Sequence, residues 1–133
     1  MLEFTGERIV PGAANCEPTF AAKMYHEHAA RYLFAAQAVE GKRVLDVGCG
    51  VGYGSALLAD AGAREVVAFD LSEETIGHAR THYARPAISY HVAAAETFDF
   101  GAFDVVTCFE VIEHVDDWAL VHHRKWAETF DRE

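Results

Sequence analysis

Cysteine is scarce in this chain, and what there is excludes two classes of scaffold. Cys16, Cys49 and Cys108 are odd in number and far apart, which fits neither a disulfide framework nor a paired CxxC zinc site. They read as reduced thiols. Long apolar runs are also missing. Asp, Glu, Arg or Gly interrupts every hydrophobic stretch well short of the roughly 18 residues that a membrane helix needs. The opening MLEFTGERIVPG lacks the cationic-then-apolar order of a secretory signal, so the cytoplasm is the expected compartment and no membrane partner is expected. Positive charge is in short supply: 11 Lys and Arg stand against 21 Asp and Glu, a formal charge of -10. That balance opposes nucleic-acid binding, because affinity for a phosphate backbone rests on Lys and Arg displacing counterions. No repeat or low-complexity tract is visible. What remains, 51% hydrophobic and 24% charged over 133 residues, is the composition of a single globular domain.

Organisation follows from periodicity. Met1 to Pro18 has no period and carries Gly6, Pro11, Gly12 and Pro18, which predicts an extended arm. Phe20, Met24, Tyr32, Leu33, Ala36 and Val39 then recur at helical spacing, with Lys23, Glu27, Arg31 and Gln37 between them, predicting an amphipathic helix from Phe20 to Val39. Residues 1–40 are thus an arm and a helix, and residues 41–133 a core. In the core, Arg43 to Val47 (RVLDV) is a short apolar run suited to a strand buried on both faces. A glycine-rich turn leads into a helix over about Gly52 to Ala61, and Glu65 to Asp70 (EVVAFD) is a second strand. Ser72 is placed to cap a third helix running to about Ala84, with Glu73 and Glu74 in the first turn, where the helix dipole favours acids. Ala87 to Val92 and Phe103 to Phe109 are the third and fourth strands, and Asp116 or Asp117 opens a last helix. Strands alternating with helices predict an α/β fold: a Rossmann-like three-layer sandwich on a mainly parallel sheet with right-handed crossovers.

The segment LDVGCGVGYGS joins a strand to a helix through glycines at alternate positions, where the chain must turn sharply and let a ligand approach the backbone. The nicotinamide fingerprint would need Gly or Ala at Tyr53, counted from Gly48, or at Ser55, counted from Gly50, and neither fits. Asp70 ends the second strand 70 − 52 = 18 residues after Gly52, where a carboxylate can accept hydrogen bonds from both hydroxyls of a ribose. Asp70 alone does not separate one ribose cofactor from another; the loop argues against a dinucleotide.

VLDVGCGVGYG, then VVAFDLS, then FDVVTCFEVIEHV, resemble motif I, its acidic partner and the fourth-strand motif of the class I methyltransferases that use S-adenosylmethionine (SAM). The resemblance covers about Arg43 to Asp117. FTGERIVPG and YHEHAARYLFAA resemble bacterial members, some of them associated with glycan or polysaccharide synthesis. The resemblance implies SAM as cofactor and a methyl acceptor that is a small molecule or glycan-like, with an oxygen or nitrogen as nucleophile. It implies that Asp46 and the backbone of Gly48, Cys49 and Gly50 hold the methionine part, that Asp70 holds the ribose, and that Leu71 packs on the adenine. It also implies that the helix before the core lids the pocket. Where the family often has an Asp for the adenine amino group, this chain offers Ala94 or Ala95, with Glu96 beside them. Cys49 reads as a small buried residue, because no base is paired with it.

Glu110, Glu113 and His114 follow the fourth strand. On a helical turn, positions i, i+3 and i+4 share a face, which brings two carboxylates and an imidazole together. Three readings stay open. His114, with Glu113, serves as general base or orienter of the acceptor; the trio binds a divalent cation, as similar segments do in some family members, with His122 or His123 as a further ligand; or Glu110 contacts the SAM amino group while His114 packs. The family sheet continues beyond a fourth strand. With about four strands in the order 3-2-1-4, the strand at Phe103 to Phe109 would be an exposed apolar edge. That predicts either a part of a longer protein or a homo-oligomer in which a second copy covers the edge.

Overall fold

The computed structural model describes residues 18–97, 99 and 101–109. The elements run α1 (Pro18–Ala36), β1 (Arg43–Val47), α2 (Tyr53–Asp60), β2 (Glu65–Asp70), α3 (Glu73–His82), β3 (Ile88–Val92) and β4 (Val105–Cys108). The four strands form one sheet in the order β3-β2-β1-β4, and every pairing is parallel. This is the Rossmann-like order expected from the sequence. β1 lies in the interior of the sheet, and from Val44 to Val47 every residue is buried, the carboxylate of Asp46 included.

The two sheet faces are covered differently. Val44 and Val66 pack with Tyr32 of α1, Val51, and Tyr53 and Leu58 of α2. Ala68 packs with Ile76 and Ala79 of α3 and Tyr90 of β3, so all three described helices lie on one face. Leu45, Val47, Val67 and Phe69 point the other way, against Ala95 and Phe103. The helix expected from Asp116 or Asp117 and the arm expected before Pro18 lie outside the described residues.

Several boundaries differ from the sequence expectation, each for a local reason. α1 stops at Ala36, not Val39, because tight turns from Gln37 N–H to the Phe34 carbonyl and Ala38 N–H to the Ala35 carbonyl redirect the chain and drop Val39, fully buried, into the core. α3 ends at His82, not Ala84. The next residue, Tyr83, turns its carbonyl to accept from the Tyr90 hydroxyl at 2.8 Å, so a tertiary donor takes the place of the next helical amide. At the start of α3, Ser72 is the N-cap and accepts from Thr75 N–H at 3.1 Å, as expected. β4 is shorter than Phe103 to Phe109. Phe103 lies under the Arg43 guanidinium, 4.2 Å from its centroid, and Asp104 exchanges hydrogen bonds with the Arg43 backbone before the ladder begins. Arg43 also donates to Glu65 at 2.9 Å and to the Ala102 carbonyl at 2.7 Å. These contacts fasten the amino ends of the strands and leave the carboxyl ends for the site. Among the described residues β4 is the outer strand on its side, and no helix is long and apolar enough to cross a membrane.

Candidate cofactor site

Open α/β sheets place ligands beyond the carboxyl ends of their strands, at the point where the strand order reverses. Here that point lies between β1 and β4, at the mouth of the loop over residues 48–52. Gly48 and Gly50 have φ of +67° and +59°. At Gly50 a side chain would be strained by the left-handed backbone, yet nothing stands within 4 Å of where its Cβ would be. The loop bares its backbone toward open space at Gly50, whereas a Cβ at Gly52 would meet Ala79 and the Tyr90 hydroxyl.

Asp70, at the tip of β2, shapes that loop. Its Oδ2 accepts from the Gly50 N–H at 3.1 Å and its Oδ1 from the Ser72 N–H at 3.2 Å. An ionised carboxylate has about four acceptor positions, so two amides leave capacity for a diol. Asp70 is only partly buried. The neighbouring Leu71 is 69% exposed, an apolar side chain beside the crevice rather than in the core. The Cys49 N–H donates to the Phe69 carbonyl at 2.9 Å, tying the loop to β2 a second time. The Cys49 thiol is buried, and burial, followed by the charges of Asp46 and Asp70, pushes its pKa well above the ordinary thiol value. It stays protonated, which agrees with a packing role and not a nucleophilic one.

Asp46, expected at the methionine end of the cofactor, lies deeper than Asp70. Its side chain is fully buried in mid-strand, and both oxygens are occupied: Oδ1 accepts from the Tyr32 hydroxyl at 3.0 Å and from Thr107 Oγ1 at 2.9 Å, and Oδ2 from Ser55 Oγ at 2.7 Å. Burial raises its pKa from 3.8 to about 6, against the lowering effect of the Ser55, Thr107 and Tyr32 hydrogen bonds, with Asp70 adding to the rise. Tyr32, Ser55 and Thr107 were not singled out as site residues from the sequence. The available signal was Asp46 itself, since a carboxylate in an all-buried strand must find donors. Ser55, which spoils the dinucleotide pattern, supplies one of them.

Ala95 is buried in the cluster with Leu45, Val67 and Phe69, and Glu96 is half-buried next to it. Its methyl is directed to the core. Glu110, Glu113 and His114 lie outside the described residues, as do His122 and His123. Among the described residues no group of three or more His, Cys, Asp or Glu side chains is placed to hold a metal ion.

The residues present fit a ribose-bearing ligand: a positive-φ loop with free space at Gly50, and a partly exposed carboxylate one strand away. Residues 20–130 match a family described as Methyltransferase domain. The chain belongs to the class I SAM-dependent methyltransferases. A Mycolicibacterium smegmatis protein named "probable S-adenosylmethionine-dependent methyltransferase" is 39% identical over 118 residues, 89% of this chain and 44% of that protein. The ubiquinone biosynthesis O-methyltransferase of Aromatoleum aromaticum is 50% identical over 82 residues, 58% of this chain and 35% of the relative. Among solved structures, a SAM-dependent methyltransferase from Mesorhizobium loti superposes with a TM-score of 0.61 at 27% identity, covering 71% of this chain and 46% of that one. The chain therefore spans less than half the length of these methyltransferases.

Proposed function

We propose that this chain binds SAM across the tips of β1 and β2 and forms the cofactor-holding part of an enzyme that methylates an oxygen of a small-molecule acceptor. The observation that carries the reading is the Asp70 carboxylate, anchored by the Gly50 and Ser72 amides and still partly open to solvent. Asp70 accepts the ribose hydroxyls. The backbone of Gly48, Cys49 and Gly50 holds the methionine end, Leu71 covers the adenine, and the backbone near Ala95 lines the adenine's far side. Asp46 supports the loop from beneath.

SAM brings a methyl on a sulfonium that is already a good leaving group. The protein's share is to align the nucleophile and take its proton. His114, with Glu113 beside it, is the group proposed for that proton, and Glu110 for the cofactor's amino group. An acidic chain suits a cationic donor. Relatives named ubiquinone biosynthesis O-methyltransferases favour an oxygen nucleophile on a small molecule over a nitrogen or a glycan.

Calorimetric titration with SAM, S-adenosylhomocysteine and NAD tests the reading. Heat is expected with the first two and none with NAD. Asp70→Ala should weaken SAM binding roughly 100-fold, the effect of about 3 kcal/mol for lost hydrogen bonds to a charged acceptor. Binding of NAD in preference to SAM, or an unaltered Asp70→Ala isotherm, would overturn the assignment. Transfer of a labelled methyl to phenolic acceptors, lost in His114→Ala, tests the catalytic half, and a loss with EDTA restored by Mg²⁺ would move the trio to metal binding.

A further inference from the structure

We infer that Tyr32 is a positioning residue of the cofactor site, latching α1 onto the glycine loop through the buried Asp46 carboxylate. The inference rests on the proposed SAM site and adds to it a residue from a helix that precedes the glycine loop.

Four elements meet at Asp46. It stands in β1, in register with Thr107 of β4, which donates to it and to the Leu45 carbonyl. Ser55 donates from the first turn of α2, directly after the loop, and Tyr32 donates from α1. The Tyr32 ring also fills the space over Gly54: a Cβ there would fall 2.2 Å from the ring's Cζ. Tyr53 and Phe109 meet the same ring edge-on, at 6.1 and 4.9 Å between centroids. One tyrosine therefore sets both the height of the α2 amino end, by its ring, and the hydrogen bonding of the strand that feeds the loop, by its hydroxyl. The hydroxyl remains a donor, because burial and the nearby Asp46 push its ionisation well above the ordinary phenol value.

The groups that act electrostatically on or with Asp46 are Asp70 of β2, Cys49 of the loop, Tyr32 of α1 and Tyr90 of β3. All are acids or weak acids. The charge of Asp46 is thus held by hydroxyl donors, and each donor removed makes ionisation harder. A cationic ligand over the loop gains from that charge, so its affinity should fall as Asp46 protonates. Removing the Tyr32 hydroxyl should move the pH at which this happens upward.

The test is calorimetric titration of the full chain with SAM between pH 5 and 8, on the wild type and on Tyr32→Phe, with circular dichroism confirming the fold of each. Wild-type affinity should decline on acidification through about pH 6. Tyr32→Phe should show the decline displaced upward by about one pH unit, as expected for one lost donor to a charged group, so that it binds about twofold more weakly at pH 7 and approaches about tenfold weaker binding near pH 5. A tyrosine that only filled space would be replaced by phenylalanine without moving the midpoint. If Tyr32→Phe fails to fold, Thr107→Val removes a donor from the same oxygen and should shift the midpoint in the same direction. Wild-type binding together with unchanged affinity and midpoint in the folded variant overturns the latch alone. Absence of SAM binding by the wild type overturns the functional reading itself.

Discussion

Gly54→Ala is the substitution whose outcome the packing decides most sharply. On helix propensity alone it should help: Gly54 is the second residue of α2, and replacing a helical glycine by alanine is worth up to about 1 kcal/mol. The structure reverses the sign. The new methyl would meet Tyr32 Cζ, Cε2 and Cε1 at 2.2, 2.3 and 2.4 Å, and these atoms belong to a buried ring packed between Tyr53 and Phe109. Overpacking of this kind costs about 1–3 kcal/mol. If the ring is displaced, the Asp46 oxygen loses its phenol donor, about 1–3 kcal/mol more for a buried charged acceptor. Less the propensity gain, the net loss is roughly 1–5 kcal/mol, or on the order of 10 °C in midpoint for a chain of this size. Urea or thermal unfolding followed by circular dichroism reads it directly. A double-mutant cycle with Tyr32→Ala isolates the cause: once the ring is removed the clash is gone, and adding Gly54→Ala to the Tyr32→Ala variant should be neutral or mildly stabilising. A Gly54→Ala single variant as stable as wild type, or a loss that persists when Tyr32→Ala is also present, would refute the packing argument.

Asp46 sets a pH dependence of stability. Its carboxyl keeps a proton up to about pH 6 in the folded chain and only to 3.8 unfolded, so the folded state holds more protons in that window and this residue's contribution falls as pH rises through it. The stability difference between wild type and Asp46→Asn, followed by urea unfolding from pH 3.5 to 7.5, should move by about 3 kcal/mol in favour of the variant; a flat difference would contradict the burial argument. Gly50→Ala separates backbone strain from ligand contact. With φ at +59° and no atom within 4 Å, the methyl should cost about 1–2 kcal/mol of stability and no more, while SAM affinity falls well beyond that because the methyl enters the crevice. Equal SAM affinity in the two proteins would place the ligand elsewhere.

Much of the fold was legible because its strands are short, apolar on both faces and separated by strong punctuation. RVLDV and EVVAFD match β1 and β2 residue for residue. Helix ends were less legible where distant partners set them: nothing near Tyr83 in sequence announces that its carbonyl will accept Tyr90. The same holds at the site. The glycines are recognisable because they stand close together directly after a strand, and Asp70 because it ends the next strand 18 residues after Gly52. The donors to Asp46 come from 14, 9 and 61 positions away, and Tyr32 looks in sequence like one more member of an apolar helix stripe. Only the folded sheet brings Thr107 opposite Asp46.

The central claim is that the carboxylate at residue 70 grips a nucleoside sugar above the bare loop. Crystals grown with S-adenosylhomocysteine test it most directly. The account predicts both ribose hydroxyls within hydrogen-bonding distance of the Asp70 oxygens, about 2.6–3.2 Å, with the Gly50 amide still bound to the same carboxylate. An empty crevice at saturating ligand, or a ribose bound away from Asp70, would contradict it.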